Sequence, residues 1–303
     1  MRPLLLPSGF MKRIIRLALV SIFIGILWYQ YSQLSRGFAV PWRVSLIVPS
    51  VLEESDCLSL LLKSLEKCTT FPSETIVVVS GVDFRGTVQL QKFFLSVKVP
   101  NLRLITRKDN HTQDANRNFG ASLAKYEYIS FFDGDDYIHP QRFELLQRAF
   151  LDYPEVQHIL HTFATSPPNR TSLLPQSSYQ VLYTPDVLRS YFMRAAKNDS
   201  FYWTWCCSFM PPDGHNDKVH NGWGTFERSV FQTIPQSLHI TDKESNNTAF
   251  MQHGAYEDSL HNSRIIRSGF NVMVLKNALG IYLQGRRVNG TRKNCKIHQS
   301  FSG

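Results

Sequence analysis

Apolar positions in this chain fall into two rhythms. Short apolar runs, Val44 to Val51 (VSLIVPSV), Thr75 to Val79, Leu102 to Ile105 and Tyr128 to Phe132, read as strands, the last of them buried. Between them the period lengthens. Asp56 to Cys68 places Leu58, Leu61, Leu62 and Leu65 on one face and predicts a helix, as does Ala115 to Lys125. Pro140 opens a further helix through Phe150, since an N–H missing from the first turn costs nothing. The spacing of the second and third runs leaves room for crossover helices. Strand alternating with helix predicts a parallel, doubly wound sheet with right-handed crossovers. From Thr162 to Asn221 no period is clean and no element is predicted. Ser259 to Arg267 then forms a helix, preceded by Glu257 and Asp258 and ended by Gly269, and a last strand falls around Ile281 to Leu283.

The N-terminus has a different pattern. Leu17 to Tyr31 is apolar and ends in an aromatic cluster, as where a helix meets the headgroups, so residues 17–31 are expected to span a membrane once. Arg2, Lys12, Arg13 and Arg16 precede the span, and only Arg36 comes closely after it. That asymmetry keeps a tail, 1–16, in the cytosol and puts a stem, 32–43, and a large domain, 44–303, on the other side: type II topology in the Golgi or ER membrane. A cleaved signal peptide is the alternative, but SQLSRGFAVPW offers no good small-x-small site. The five sequons, at Asn110, Asn169, Asn198, Asn246 and Asn289, agree with a lumenal domain.

At 43% hydrophobic and 13% aromatic residues the chain can bury a substantial core, which excludes wholesale disorder. The net charge of +9 includes the four basic residues beside the span, and the remainder shows no Lys/Arg run, so no nucleic-acid partner is expected. Five cysteines are too few for a disulfide scaffold, and none forms a CxxC pair suited to zinc. On one helix Cys57 and Cys68 would stand about 16 Å apart and could not bridge each other.

The candidate chemistry lies at Asp133-Gly134-Asp135-Asp136, directly after a predicted strand. In open parallel sheets ligands bind outside the carboxyl ends of strands, where such carboxylates can hold a hard divalent cation and, through it, two phosphates. An Asp-rich surface turn is the alternative. The segment leading into the motif, QDANRNFGASLAKYEYISFFDGDDYIHP, resembles family 2 glycosyltransferases of the GT-A fold, in which an Arg-Asn-x-Gly helix precedes a strand ending in Asp-x-Asp-Asp. VSLIVPSVLEES is similar to the family's first strand and nucleotide-contacting loop, and NGWGTFERSVFQTIP and GAYEDSLHNSRIIRSGF extend the likeness to Phe270.

The resemblance implies an α/β, GT-A type, doubly wound mixed and mostly parallel sheet with flanking helices. Residues 44–140 would form the nucleotide-sugar half and 141–303 the acceptor half. It implies an inverting, Mn²⁺- or Mg²⁺-dependent hexosyl- or N-acetylhexosaminyl-transferase that uses a UDP- or GDP-sugar and a glycan or glycoconjugate acceptor. Asp135 and Asp133 would hold the metal. Pro49, Glu53, Asp83, Arg117, Asp133, Gly134 and Asp135 would contact the donor, and Asp258 would be the catalytic base. Glu257 and Trp223 would bind the acceptor. Alternatives stay open at several of these: Arg117 as a surface residue of an amphipathic helix, Asp258 as an acid favoured by the helix dipole, Trp223 as a core residue.

The chain also departs from the family. Ser80 and Gly81 stand where an acidic pair is common after the second strand, with Asp83 displaced. Gln284 stands where many members carry a metal-binding His. His298 is the nearest later histidine, and Arg286 and Arg287 could meet a diphosphate instead. Two other classes therefore compete: a nucleotidyltransferase, which would leave the Glu257-Asp258 helix without a role, and a sugar- or nucleotide-binding protein with a degraded site.

Overall fold

The computed structural model describes residues 42–52, 55–165, 174–190, 208–209, 219–236, 257–283, 287–288 and 291–292. The chain divides into two units between Trp42 and Arg43, and every described strand and helix belongs to the second. The expected membrane span at 17–31 lies outside the described residues. Among those described, no helix is long and apolar enough to cross a membrane.

Three strands form as their apolar runs predict: β1 (Val44–Val51), β2 (Glu74–Ser80) and β3 (Leu102–Arg107). With β4 (Tyr128–Phe131) they make a parallel block in the order β3-β2-β1-β4. Helices α1 (Ser55–Leu65), α2 (Phe84–Phe94) and α3 (Gln113–Ser122) connect them. Leu58, Leu61, Leu62 and Leu65 of α1 are fully buried, as their spacing requires. The helix stops at Leu65, short of Cys68. Ser64 bridges it to the sheet, receiving the amide of Ile138 at 3.0 Å.

Beyond β4 the sheet is mixed, as the resemblance implies, and the wholly parallel arrangement is confined to the first block. β10 (Thr225–Glu227) runs antiparallel to both β4 and β6 (His158–Thr165), while β11 (Val272–Tyr282) lies parallel to β6 and antiparallel to β5 (Tyr137–Ile138) and β7 (Val181–Tyr183). β8 (Ser208–Phe209) and β9 (Val219–His220) extend the β6 side, and β12 (Arg287–Val288) pairs with β13 (Thr291–Arg292). Strand β6 thus enters the stretch left unassigned from Thr162, and β11 begins well before Ile281.

Helices α4 (Arg142–Asp152), α5 (Arg228–Thr233) and α6 (Glu257–Arg267) complete the described layer. Pro140 lies in a turn before α4, where His139 Nδ1 receives the Gln141 amide at 3.1 Å. Gly269 ends α6 with φ 87°, a conformation glycine adopts without strain. The core gathers around Phe131, with Phe226 and Phe231 edge-on at 5.1 and 5.7 Å.

Arg142 enters this apolar layer fully buried. Its Nη2 donates to the Trp223 carbonyl at 2.7 Å and to Ser130 Oγ at 3.1 Å, and Nη1 meets His161 Nε2. Burial lowers its pKa to about 9. Its hydrogen bonds tie α4 to Trp223 and Thr225, which is where the candidate site forms.

Candidate active site

Each residue of the Arg-Asn-x-Gly helix has a distinct task. Gly120 brings α3 onto the sheet: a Cβ there would lie 2.5 Å from Ile47 Cγ2 and 3.2 Å from Val78 Cγ2. Asn118 exchanges hydrogen bonds with the backbone of Gln236, donating to its carbonyl at 2.7 Å and receiving its amide at 3.1 Å. Arg117 is 1% exposed, which removes the surface reading, and its Nη2 forms an ion pair with Asp133 Oδ1. Gln113 Nε2 donates to the same oxygen at 2.6 Å. The helix therefore fixes the first carboxylate of the acidic motif from two turns at once.

The motif is not a surface turn, because Asp133, Asp135 and Asp136 are all buried. Gly134 fits under β1, where a Cβ would come 3.0 Å from the Pro49 carbonyl and 3.2 Å from Ser50 Cβ. This places Pro49 and Gly134 together at the carboxyl edge of the sheet. Asp136 Oδ1 receives the Leu283 amide at 2.8 Å and so holds the end of β11.

The turn Asn221–Trp223, a single 3₁₀ turn, closes the site from the other half of the chain. A Cβ on Gly222 would stand 2.9 Å from Arg117 Nη2, 3.2 Å from Asp133 Oδ2 and 3.2 Å from Asp258 Oδ2. Three charged side chains from α3, the acidic motif and the first turn of α6 thus converge over one bare Cα. Gly222→Ala is expected to push them apart and lower kcat/KM by about 100-fold, as ångström-scale displacement of reacting groups does. Steady-state kinetics beside a melting curve would check it, since an intact fold with full activity would contradict the packing.

His220 precedes that turn. Burial pushes its pKa down to about 3, so the ring is neutral. A nitrogen of His220 and carboxylate oxygens of Asp133 and Asp136 lie within 4.8 Å of one another, a grouping able to hold a cation. The trio takes in Asp136 and His220 where Asp135 was expected beside Asp133. Nothing in the periodicity marks His220; its only signal is its place directly before NGWGTFERS.

Trp223 is a correction. It is fully buried and stacks on Phe132 at 4.4 Å and on His220 at 3.9 Å, so it cannot offer a face to a sugar. Asp83 serves α2 as N-cap, its Oδ1 receiving the Gly86 amide at 2.7 Å. Asp258 is brought into the site. Glu53, Gln284, Arg286 and His298 lie outside the described residues, and the side chains of Glu257 and Arg287 are likewise not described. Cys57 is disulfide-bonded while Cys68 is a buried free thiol, its pKa raised to about 12 by burial, so the two do not bridge each other.

A family model described as "Glycosyl transferase family 2" matches residues 45–211. No curated protein sequence matches the chain. Among solved structures, S. aureus TarS 1-349 superposes with a TM-score of 0.52 at 18% identity over 80% of this chain and 60% of that one. The same fragment in complex with UDP-GlcNAc gives 0.53 at 19% identity, covering 82% and 60%. A longer S. aureus TarS structure gives 0.51 at 18% identity, covering 80% and 36%. At such identities the likeness is one of fold, and this chain spans about 60% of the length of the shorter TarS structures.

Proposed function

This chain belongs to glycosyltransferase family 2, and on that footing we propose that it transfers a sugar, with inversion, from a nucleotide-sugar donor to a hydroxyl of a glycan or glycoconjugate. The observation that carries the reading is the convergence of Arg117, Asp133 and Asp258 on Gly222. It sets a carboxylate able to take a proton beside an edge of the sheet suited to phosphates. Asp258 accepts the hydrogen of the acceptor hydroxyl as that oxygen attacks the anomeric carbon from the side opposite the leaving diphosphate.

A divalent cation fits the same place. Asp133 and Asp136 bring buried, hard oxygen donors together, the chemistry Mn²⁺ and Mg²⁺ prefer, and these two residues would hold it. When bound, the cation supplies charge neutralisation to a departing diphosphate. Arg117 and Gln113 hold Asp133 in place from α3.

The TarS neighbours include complexes with UDP-GlcNAc and with UDP, which makes a UDP-sugar, and N-acetylglucosamine in particular, the first donor to try. For placement in the cell, the apolar span 17–31 with its preceding basic residues supports a type II anchor in the Golgi or ER membrane. The disulfide at Cys57 supports an oxidising compartment. The test is to express the chain and screen UDP- and GDP-sugars with Mn²⁺ or Mg²⁺. Release of nucleoside diphosphate from one of them supports transfer, whereas release of pyrophosphate points to nucleotidyl transfer and overturns it.

A further inference from the structure

His220 carries a ring hydrogen that no group among the described residues receives. The Gly222 amide donates to its Nδ1 at 3.1 Å. Nδ1 must therefore present a lone pair, which leaves Nε2 as the ring nitrogen that carries a hydrogen. Nε2 has no hydrogen-bond partner among the described residues, although His220 is only 1% exposed. Buried donors are rarely left so, and an unmet one beside a site is a sign of a ligand atom to come. The ring cannot easily turn away, because it stacks on Trp223 at 3.9 Å and meets the edge of Phe163 at 5.4 Å.

The grouping with Asp133 and Asp136 offers two roles, cation ligand or hydrogen-bond donor. A ligand at Nε2 would need the hydrogen moved to Nδ1, where it would oppose the Gly222 N–H and break the cap on the 3₁₀ turn. The donor role keeps every observed bond.

We propose that His220 is a catalytic residue whose Nε2–H donates to an anionic oxygen of the leaving diphosphate, and that it is not a cation ligand. The inference rests on the nucleotide-sugar reading above. As the bond from the anomeric carbon to the phosphate oxygen breaks, its electron pair stays on that oxygen and the hydrogen bond from Nε2 strengthens. The hydrogen remains on His220, and the proton of the acceptor hydroxyl goes to Asp258.

Two variants of the full chain separate the roles. His220→Asn keeps an oxygen near the Nδ1 position for the Gly222 amide and removes the Nε2 donor, while His220→Gln returns an N–H near Nε2. With Mn²⁺ and UDP-GlcNAc, or whichever UDP- or GDP-sugar the wild type consumes, His220→Asn is expected to lose about 100-fold in kcat with little change in KM. His220→Gln is expected to recover about tenfold of that loss. Mn²⁺ affinity, read by electron paramagnetic resonance without any nucleotide, stays within about twofold of wild type, against the roughly tenfold or greater loss that removing a ligand brings. A tenfold weaker Mn²⁺ site, or an unchanged kcat in His220→Asn, overturns the assignment. If the wild type consumes no nucleotide sugar, the functional reading fails and takes this inference with it.

Discussion

Asp258→Asn should lower sugar transfer by at least about 100-fold while the protein still binds nucleoside diphosphate and melts near the wild-type temperature. The change keeps the shape of the side chain and its capacity to accept hydrogen bonds but removes its basicity. Asp258 is 6% exposed and shares the space over Gly222 with Asp133 and Arg117, so its position is set by packing that asparagine preserves. The measurement is kcat from diphosphate release together with nucleoside diphosphate affinity by calorimetry. A purely structural role would move the melting temperature and leave kcat alone. The opposite split is expected.

Asp133→Ala acts on stability as well. It removes one of the two carboxylates that would hold the cation and takes the countercharge from the Arg117 guanidinium, which is 1% exposed. Breaking a buried pair on one side costs about 3–5 kcal/mol, and a domain of this size loses on the order of 10 °C in melting temperature for that. Activity should fall at least about 100-fold for want of charge neutralisation. The two effects separate in the double variant Arg117→Met with Asp133→Leu, which removes both charges. There the melting temperature is expected to return most of the way and the activity to stay absent. A double variant as unstable as Asp133→Ala would show that the ion pair is not what holds α3 to the motif.

Both predictions rest on features that differ in how far the sequence displayed them. The parallel block was visible because its inner strands β1 and β2 are buried on both faces and read as nearly continuous apolar runs, while β3, half-buried throughout, shows a weaker one. Asp133 could be placed because a strand ends beside it, and Gly269 because a helix needs a glycine where φ turns positive. Strand β6 was hidden by its own polar content: His158 and His161 are fully buried, and burial holds both rings neutral, well below their usual pKa. A pattern of apolar and polar positions counts such histidines as surface. Long-range pairing was equally silent. The bond between Asn118 and the Gln236 carbonyl joins residues 118 positions apart, and nothing local to either announces it. Trp223 stood open between an acceptor platform and a core residue, and the burial decides for the core: Gly222 makes room for three charged groups, and a Cβ on Gly224 would meet His158 Nε2 at 2.5 Å.

Asp83 shows how an acidic residue near an expected position can satisfy a different need. The chain after β2 turns at Gly81, φ 73°, and must start α2 at once, so the carboxylate goes to the helix N-terminus. Ser80 Oγ, at the end of the same strand, accepts from Asn116 at 2.9 Å and locks α3 to β2.

If Asp258 works from the face of the sugar opposite the phosphate, the anomeric configuration of the first product shows it most directly. In the absence of acceptor, water takes the place of the hydroxyl, so proton NMR of the donor incubated with the chain and Mn²⁺ tracks the free sugar as it forms, before mutarotation. The expected product is the anomer opposite in configuration to the donor, with none formed by Asp258→Asn. A sugar released with the donor's configuration would contradict that role for Asp258.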